Sequence, residues 1–234
     1  MDVMVRSDGT ELCGPSAGGL VARLRARTRG LHRDAERSGI LRDLLRGQVT
    51  LAGYALLLRN LHPTYAAMEV ALHAHAHAPE VRHIAAWDLR RRAALEADLT
   101  VLVGTGWETR LPLLPAAVAY ADRVATAEAR VAGGLVAHAY VRYLGDLSGG
   151  QVLKRLLAKA PGIAPEALAF YDFGPDGVVR TLVPAYLAAI DAAGVVSEPR
   201  TEEIVEEAAA AFLCNIALSE ALHGATNNAT RSIA

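Results

Sequence analysis

From Leu20 onward the apolar positions recur with the period of a helix. Leu20, Leu24, Thr28, Leu31 and Ala35 form one stripe, with arginines at 23, 25, 27 and 29 spread around it. Ser38 is placed to cap a short helix that stops at Gly47, and Thr50 to cap a long one from Leu51 toward His77, bent at Pro63. Two more amphipathic segments follow, Asp88 to Val103 and Leu114 to Val131. Val136 to Lys159 reads as one long helix. After a loop from Pro161 to Pro165 and the aromatic stretch Phe170-Tyr171-Asp172-Phe173, two last helices are predicted over about 178–193 and 199–223. No run alternates with the period of two that strands require. The pattern predicts an all-α, single-domain, multi-helix protein with no internal repeat. Residues 1–19 are polar, lack periodicity and read as a disordered tail. The helical domain spans 20–224, and 225–234 read as a short polar tail.

Composition narrows the class. The chain has 234 residues, 52% of them hydrophobic, enough for one large core. A net charge of −1 provides no global field for nucleic acid or an anionic membrane, so a charged partner must be read by a local patch. Cys13 and Cys214 lie at opposite ends, which suits a reduced intracellular chain better than a disulfide framework. The longest uncharged stretches, such as Ala208 to Ser219, fall short of the roughly 20 residues that span a bilayer. The N-terminus, with Asp2 before Arg6 and no apolar centre, lacks a secretory layout. A cytoplasmic protein without a membrane or nucleic-acid partner is the expectation.

Gly145-Asp146-Leu147-Ser148-Gly149-Gly150 places three glycines inside the long helix. Each costs a helix interior up to about 1 kcal/mol relative to alanine. Two reasons offset that cost: a kink, or close approach of the backbone to a flat bound object. On the first helix His32 and Glu36 share a face at i, i+4. The plain reading of that pair is an exposed ion pair. The sharper one is a histidine that ligates iron while a carboxylate orients its other ring nitrogen. Of His73, His75, His77 and His83, only the pair at 73 and 77 shares a helix face, and the group reads as a solvated helix end. Glu220 and His223 match the Glu-x-x-His spacing of di-iron bundles, but a second copy of that motif is missing from the sequence. Arg25 and Arg29 share a face and are able to hold carboxylates of an anionic ligand.

Two stretches carry more than composition. Leu31-His32-Arg33-Asp34-Ala35-Glu36, followed by Arg46-Gly47-Gln48-Val49-Thr50, resembles the proximal helix and following turn of haem oxygenases. The run from Ala137-His138-Ala139-Tyr140 through Arg142 and Gly145-Asp146-Leu147-Ser148-Gly149-Gly150 to Gln151 resembles that family's distal-helix signature. Glu206-Glu207 through Phe212 to Asn215-Ile216 is a weaker echo. The resemblance implies a haem held between a proximal helix and a glycine-kinked distal helix. His32 would ligate the iron and Glu36 would partner it. Gly145 and Gly149 would leave room for oxygen on the other face. Asp146 would anchor proton-delivering waters, with Tyr65 and Arg142 extending that network. Thr28, Arg25, Arg29, Tyr140 and Phe212 would complete the haem contacts.

By the same resemblance, haem is both substrate and oxygen-activating cofactor. The products are biliverdin, carbon monoxide and ferrous iron, and O2 is the co-substrate. Electrons come from a separate ferredoxin or NAD(P)H-dependent reductase, since the sequence carries no flavin or nucleotide motif. One departure stands out: Val183 and Leu187 occupy positions where many relatives carry basic residues that clamp the propionates. Arg180, Arg25, Arg29 and Tyr140 are then the remaining candidates, and alpha-meso cleavage is the expected outcome. A haem-trafficking protein on the same fold and a non-haem di-iron oxidase are the competing readings.

Overall fold

The computed structural model describes residues 18–231. The expected N-terminal tail, apart from its last two residues, lies outside them, as do the final three residues of the expected C-terminal tail. The chain folds into helices α1 (Leu20–Arg37), α2 (Gly39–Leu45), α3 (Leu51–Ala74), α4 (Arg82–Ala85), α5 (Arg92–Val103) and α6 (Trp107–Arg110). They continue as α7 (Pro115–Ala125), α8 (Ala127–Arg130), α9 (Gly134–Leu157), α10 (Asp176–Val196) and α11 (Thr201–Arg231). Short 3-10 turns lie at Pro165–Ala167, Ala169–Tyr171 and Glu198–Arg200, and no strand occurs among the described residues. The all-α expectation holds.

The apolar stripe of α1 is buried at Leu20, Val21, Leu24, Thr28 and Ala35. At its end Ser38 turns extended, and Gly39 takes φ +46°, so close to α11 that a side chain there would collide with the Ser219 carbonyl. The Ser219 hydroxyl accepts the Leu41 N–H at 3.1 Å and donates to the Ser38 carbonyl at 3.0 Å, clasping the α1–α2 corner to α11. Thr50 caps α3 as expected, its hydroxyl accepting the Gly53 N–H at 3.1 Å.

Boundaries differ from the sequence reading where distant residues set them. α3 ends at Ala74 rather than near His77. The segment expected from Asp88 becomes helical only at Arg92, because the Glu69 carboxylate on α3 accepts the N–H groups of Arg91 (2.6 Å) and Arg92 (2.8 Å). The segment expected over 114–131 breaks at Thr126, whose hydroxyl donates back to the Asp122 carbonyl at 2.8 Å. α9 starts at Gly134, which packs so tightly that a Cβ would sit 2.6 Å from the Ala127 carbonyl oxygen. It then runs unbroken through Gly145–Gly150. α11 continues to Arg231, across most of what reads as a polar tail.

α3 packs on α5 and α7, α11 on α1, α2, α7 and α9, and α10 on α1, α4 and α9. Windows of α10 and α11, Gly177–Val196 and Glu198–Asn227, are long and apolar enough to cross a bilayer by length and hydropathy alone; here both lie against the other helices.

Two buried carboxylates hold the bundle in register. Asp98 on α5 accepts the N–H groups of Ala169 and Phe170, each at 2.8 Å, and burial raises its pKa to about 6. That anchors the 3-10 turn whose Phe170 ring meets Tyr65 edge-on, with centroids 5.2 Å apart. Glu207 on α11 meets His138 at 2.9 Å, Arg123 at 2.6 Å and Arg130 at 2.7 Å. Burial opposes ionisation of Glu207, but the His138 contact and the two guanidinium groups outweigh it and hold its pKa at about 2. Glu207 is therefore stabilising above the ordinary carboxylate range, and that contribution disappears as pH falls from about 4.5 through about 2. Glu207→Gln should cost about 3 kcal/mol at neutral pH. In urea unfolding the gap between wild type and variant should close across that acid range; a constant gap would refute the assignment.

Candidate functional site

α1 and α9 face each other across a cavity of about 600 Å³. α1 contributes Arg25, Thr28, Arg29, His32, Arg33 and Glu36, which recur at three- and four-residue spacing along one side of the helix. α9 contributes Tyr140, Arg142, Gly145, Asp146, Ser148 and Gly149. Phe212 of α11 and Val183 and Leu187 of α10 line it too, as do apolar residues of α2 and α3, whereas Arg180 is not among the lining residues. The three glycines of α9 have different surroundings. A Cβ built on Gly145 or Gly149 meets nothing within 4 Å, but one on Gly150 would lie 2.9 Å from Cδ1 of the buried Tyr171 ring. Gly145 and Gly149, at i and i+4, thus bare a strip of backbone to the cavity.

His32 reaches into the same space, its side chain 60% exposed. Its Nδ1 lies 3.6 Å from a Glu36 carboxylate oxygen, and its ring meets Phe212 edge-on at 6.0 Å. Nε2 has no partner among the described residues, which leaves the lone pair of a Glu36-oriented imidazole open to a metal. The Tyr140 hydroxyl lies 3.5 Å from that of Thr28, which donates to the Leu24 carbonyl at 2.7 Å.

Behind the glycine strip sits a buried polar cluster. The Tyr65 hydroxyl donates to Asp146, and the Arg142 guanidinium donates to the Tyr65 oxygen through Nε (3.0 Å) and Nη2 (2.8 Å). Arg142 Nη1 donates to Asn215 Oδ1 at 2.8 Å, and Nη2 lies 3.6 Å from Asp146 Oδ1. Burial raises the Asp146 pKa above the usual carboxylate range, against the pull of Arg142 and Tyr65. Burial likewise pushes the Tyr65 phenol well above its ordinary value, so it stays a donor. Tyr65 is fully buried and supports Asp146 from behind rather than lining the cavity. His223 lies elsewhere: its Nδ1 meets Asp43 at 2.6 Å and ties α11 to α2.

The chain is similar to known proteins over most of its length. Residues 19–221 match the heme oxygenase family model. Heme oxygenase 1 of the cyanobacterium Nostoc sp. is 34% identical over 206 residues, 88% of this chain and 86% of that protein. Human heme oxygenase 1 is 35% identical over 202 residues, 85% of this chain and 70% of that protein. The crystal structure of heme oxygenase-1 from Synechocystis sp. in complex with heme superposes with a TM-score of 0.83 at 34% identity, covering 92% of this chain and 97% of that one. Heme oxygenase from Leptospira interrogans gives 0.80 at 30% identity, over 86% and 98%. The chain belongs to the heme oxygenase family.

The site suits the flat macrocycle from which heme oxygenases take their name. Its volume falls among pockets that enclose a large organic ligand. An imidazole with a free Nε2 stands on one wall, and backbone with open space beside it on the other. Apart from Arg180, the candidate haem contacts from the sequence reading line this one cavity, with Tyr65 just behind it. Asn215 was missed as a site residue: it lies 73 positions from Arg142 and its spacing carries no local signal. So was Gln151, whose amide donates to the carbonyls of Asp146 (3.2 Å) and Tyr171 (3.0 Å) and holds the turn against α9.

The glycine surroundings lead to opposite outcomes for the same substitution. Gly149→Ala should stabilise the ligand-free protein by about 0.5–1 kcal/mol while weakening haemin binding. Gly150→Ala should destabilise it by about 1–3 kcal/mol. Urea unfolding of both variants checks this, and shifts of the same sign would contradict the placement.

Proposed function

We propose that this chain cleaves haem oxidatively to biliverdin, with release of carbon monoxide and ferrous iron. The reading is carried by a single juxtaposition, His32 with Glu36 on one wall of the cavity and Gly145, Gly149 and Asp146 on the other. When bound, haem would supply both the iron at which oxygen is activated and the ring carbon that is oxidised.

The chain's own residues then have separable tasks. His32 Nε2 holds the iron, and Glu36 sets the ring's orientation through Nδ1. Gly145 and Gly149 keep side chains away from the opposite face, leaving space for a small co-substrate. The Asp146 carboxylate, fixed by the Tyr65 O–H and backed by Arg142, accepts hydrogen bonds from waters that carry protons to that face. This arrangement places no imidazole or free acid directly over the site, so protons arrive through water. Arg25, Arg29, Thr28 and Tyr140 meet the ligand's carboxylate edge, and Phe212 packs against the His32 ring. Electrons come from a separate ferredoxin or NAD(P)H-dependent reductase in the cytoplasm. The apolar rim at Val183 and Leu187 favours weaker seating, the property a haem carrier would use, so product analysis decides between turnover and carriage.

In haemin titrations His32→Ala should lose the histidine-ligated ferric spectrum and weaken binding; an unchanged spectrum and affinity would remove His32 from the site. With oxygen and ascorbate the wild-type complex should lose its Soret band and gain biliverdin absorption, whereas a carrier would keep intact porphyrin. Asp146→Asn should bind haemin normally yet form biliverdin roughly 100-fold more slowly. A wild-type rate in that variant would place the proton relay elsewhere.

A further inference from the structure

α5 buries Leu95, Asp98 and Leu99, and Asp98 is the charged side chain among them. Taking a carboxylate out of water is costly unless it is paired or hydrogen-bonded. Asp98 is fully buried, and Arg91 favours its ionisation although no hydrogen bond or ion pair joins the two. What meets the carboxylate is backbone. Oδ1 accepts the Ala169 N–H and Oδ2 the Phe170 N–H, each at 2.8 Å. Hydrogen bonds to a charged acceptor are roughly twice as strong as neutral ones, and here both act on one short segment.

That segment depends on outside support, because a single 3-10 turn such as Ala169–Tyr171 has poor internal hydrogen-bond geometry. Tyr54 on α3 donates to the Ala167 carbonyl at 3.2 Å, and Gln151 on α9 donates to the Tyr171 carbonyl at 3.0 Å. The two Asp98 bonds fall between these tethers. From the turn, two routes lead to Asp146. The Phe170 ring meets Tyr65 edge-on, and the Tyr65 hydroxyl donates to the Asp146 carboxylate. Gln151, which holds the Tyr171 carbonyl, also donates to the Asp146 carbonyl at 3.2 Å. The Tyr171 ring itself lines the cavity and lies against Gly150, where it leaves no space for a Cβ. A shift of the turn would therefore disturb the side chain and the backbone of Asp146 together and move part of the cavity wall.

We infer that Asp98 is a positioning residue for the haem site: through the Ala169–Tyr171 turn it fixes where Asp146 and Tyr171 stand against the ligand. The inference rests on the proposed function, in which Asp146 orders the waters that deliver protons. Asp98 is not among the residues that line the cavity, so its effect on the ligand passes through the turn. A misplacement of about 1 Å at a catalytic group costs up to about 100-fold in rate, even when it originates far from the chemistry.

The test compares the full chain with two variants. Asp98→Asn keeps the volume but offers one oxygen where two N–H groups need acceptors. Leu99→Ala empties a fully buried position on the same helix and leaves the carboxylate in place. In the ligand-free proteins, amide hydrogen exchange at residues 169–171 should quicken selectively in Asp98→Asn, by about 10-fold or more, and not selectively in Leu99→Ala. With haemin, Asp98→Asn should bind within about 3-fold of wild type yet form biliverdin with ascorbate about 10-fold more slowly, since binding draws on the whole cavity and turnover on the placement of Asp146. The infrared C–O stretch of its ferrous carbon monoxide complex, which reads the field of that wall, should move; Leu99→Ala should keep the wild-type stretch and rate. If Asp98→Asn does not fold, Tyr54→Phe, which removes the tether at Ala167, takes its place with changes in the same direction. An unmoved stretch would overturn the inference, as would a rate within about 2-fold of a productive wild type. Equal changes in Leu99→Ala would also overturn it, leaving Asp98 a role in stability alone. If the stretch moves in Asp98→Asn but the wild type itself yields no biliverdin, the positioning role stands and the proposed function fails.

Discussion

The structure turns on one buried charge. Arg142 is only 8% exposed, and its guanidinium is shared among Tyr65 on α3, Asn215 on α11 and Asp146 one turn along its own helix. Leaving such a charge unpaired in the interior costs several kcal/mol, so the three helices have little freedom to shift relative to one another. The cluster therefore sets the rotation of α9 about its axis. Once positions 142 and 146 point into the bundle, position 145 lies about 100° away and position 149 one turn on, over the cavity. The glycines thereby open that face. Their orientation is set by the arginine, and the missing side chains do the rest.

The two walls thereby acquire different character. The α9 wall is backbone and small residues in front of the hydrogen-bonded cluster of Tyr65, Asp146, Arg142 and Asn215. The α1 wall is charged: arginines, an imidazole and a carboxylate. α10 contributes only Val183 and Leu187 at the cavity. The cavity-lining arginines without a hydrogen-bond or ion-pair partner among the described residues, Arg25, Arg29 and Arg33, are all on α1, and α10 offers apolar side chains. The same helix that presents His32 carries a row of exposed arginines at 25, 29, 33 and 37.

Much of this was legible in the sequence because the informative features are local. His32 with Glu36, Arg25 with Arg29, and Gly145 with Gly149 are i, i+4 pairs, and helical periodicity alone puts each on one face. The Thr50 cap is local too. What the pattern did not carry is long-range. Glu69 caps α5 from 22 residues away, which is why the segment from Asp88 is not yet helical. Glu207 meets His138 across 69 positions, and Asn215 meets Arg142 across 73. Tyr65 entered only through resemblance, since nothing near it in sequence marks a partner on α9. The extension of α11 to Arg231 was read as a tail because its last residues are polar, although the helix simply continues.

The central claim is that one cavity, with His32 on one wall and Gly145 and Gly149 on the other, seats a haem. A crystal structure of the haemin complex tests it most directly. The account predicts iron bonded to His32 Nε2, with the backbone of Gly145 and Gly149 in contact with the opposite face of the ring. Iron held by another side chain, or a ring lying outside the space between α1 and α9, would contradict it.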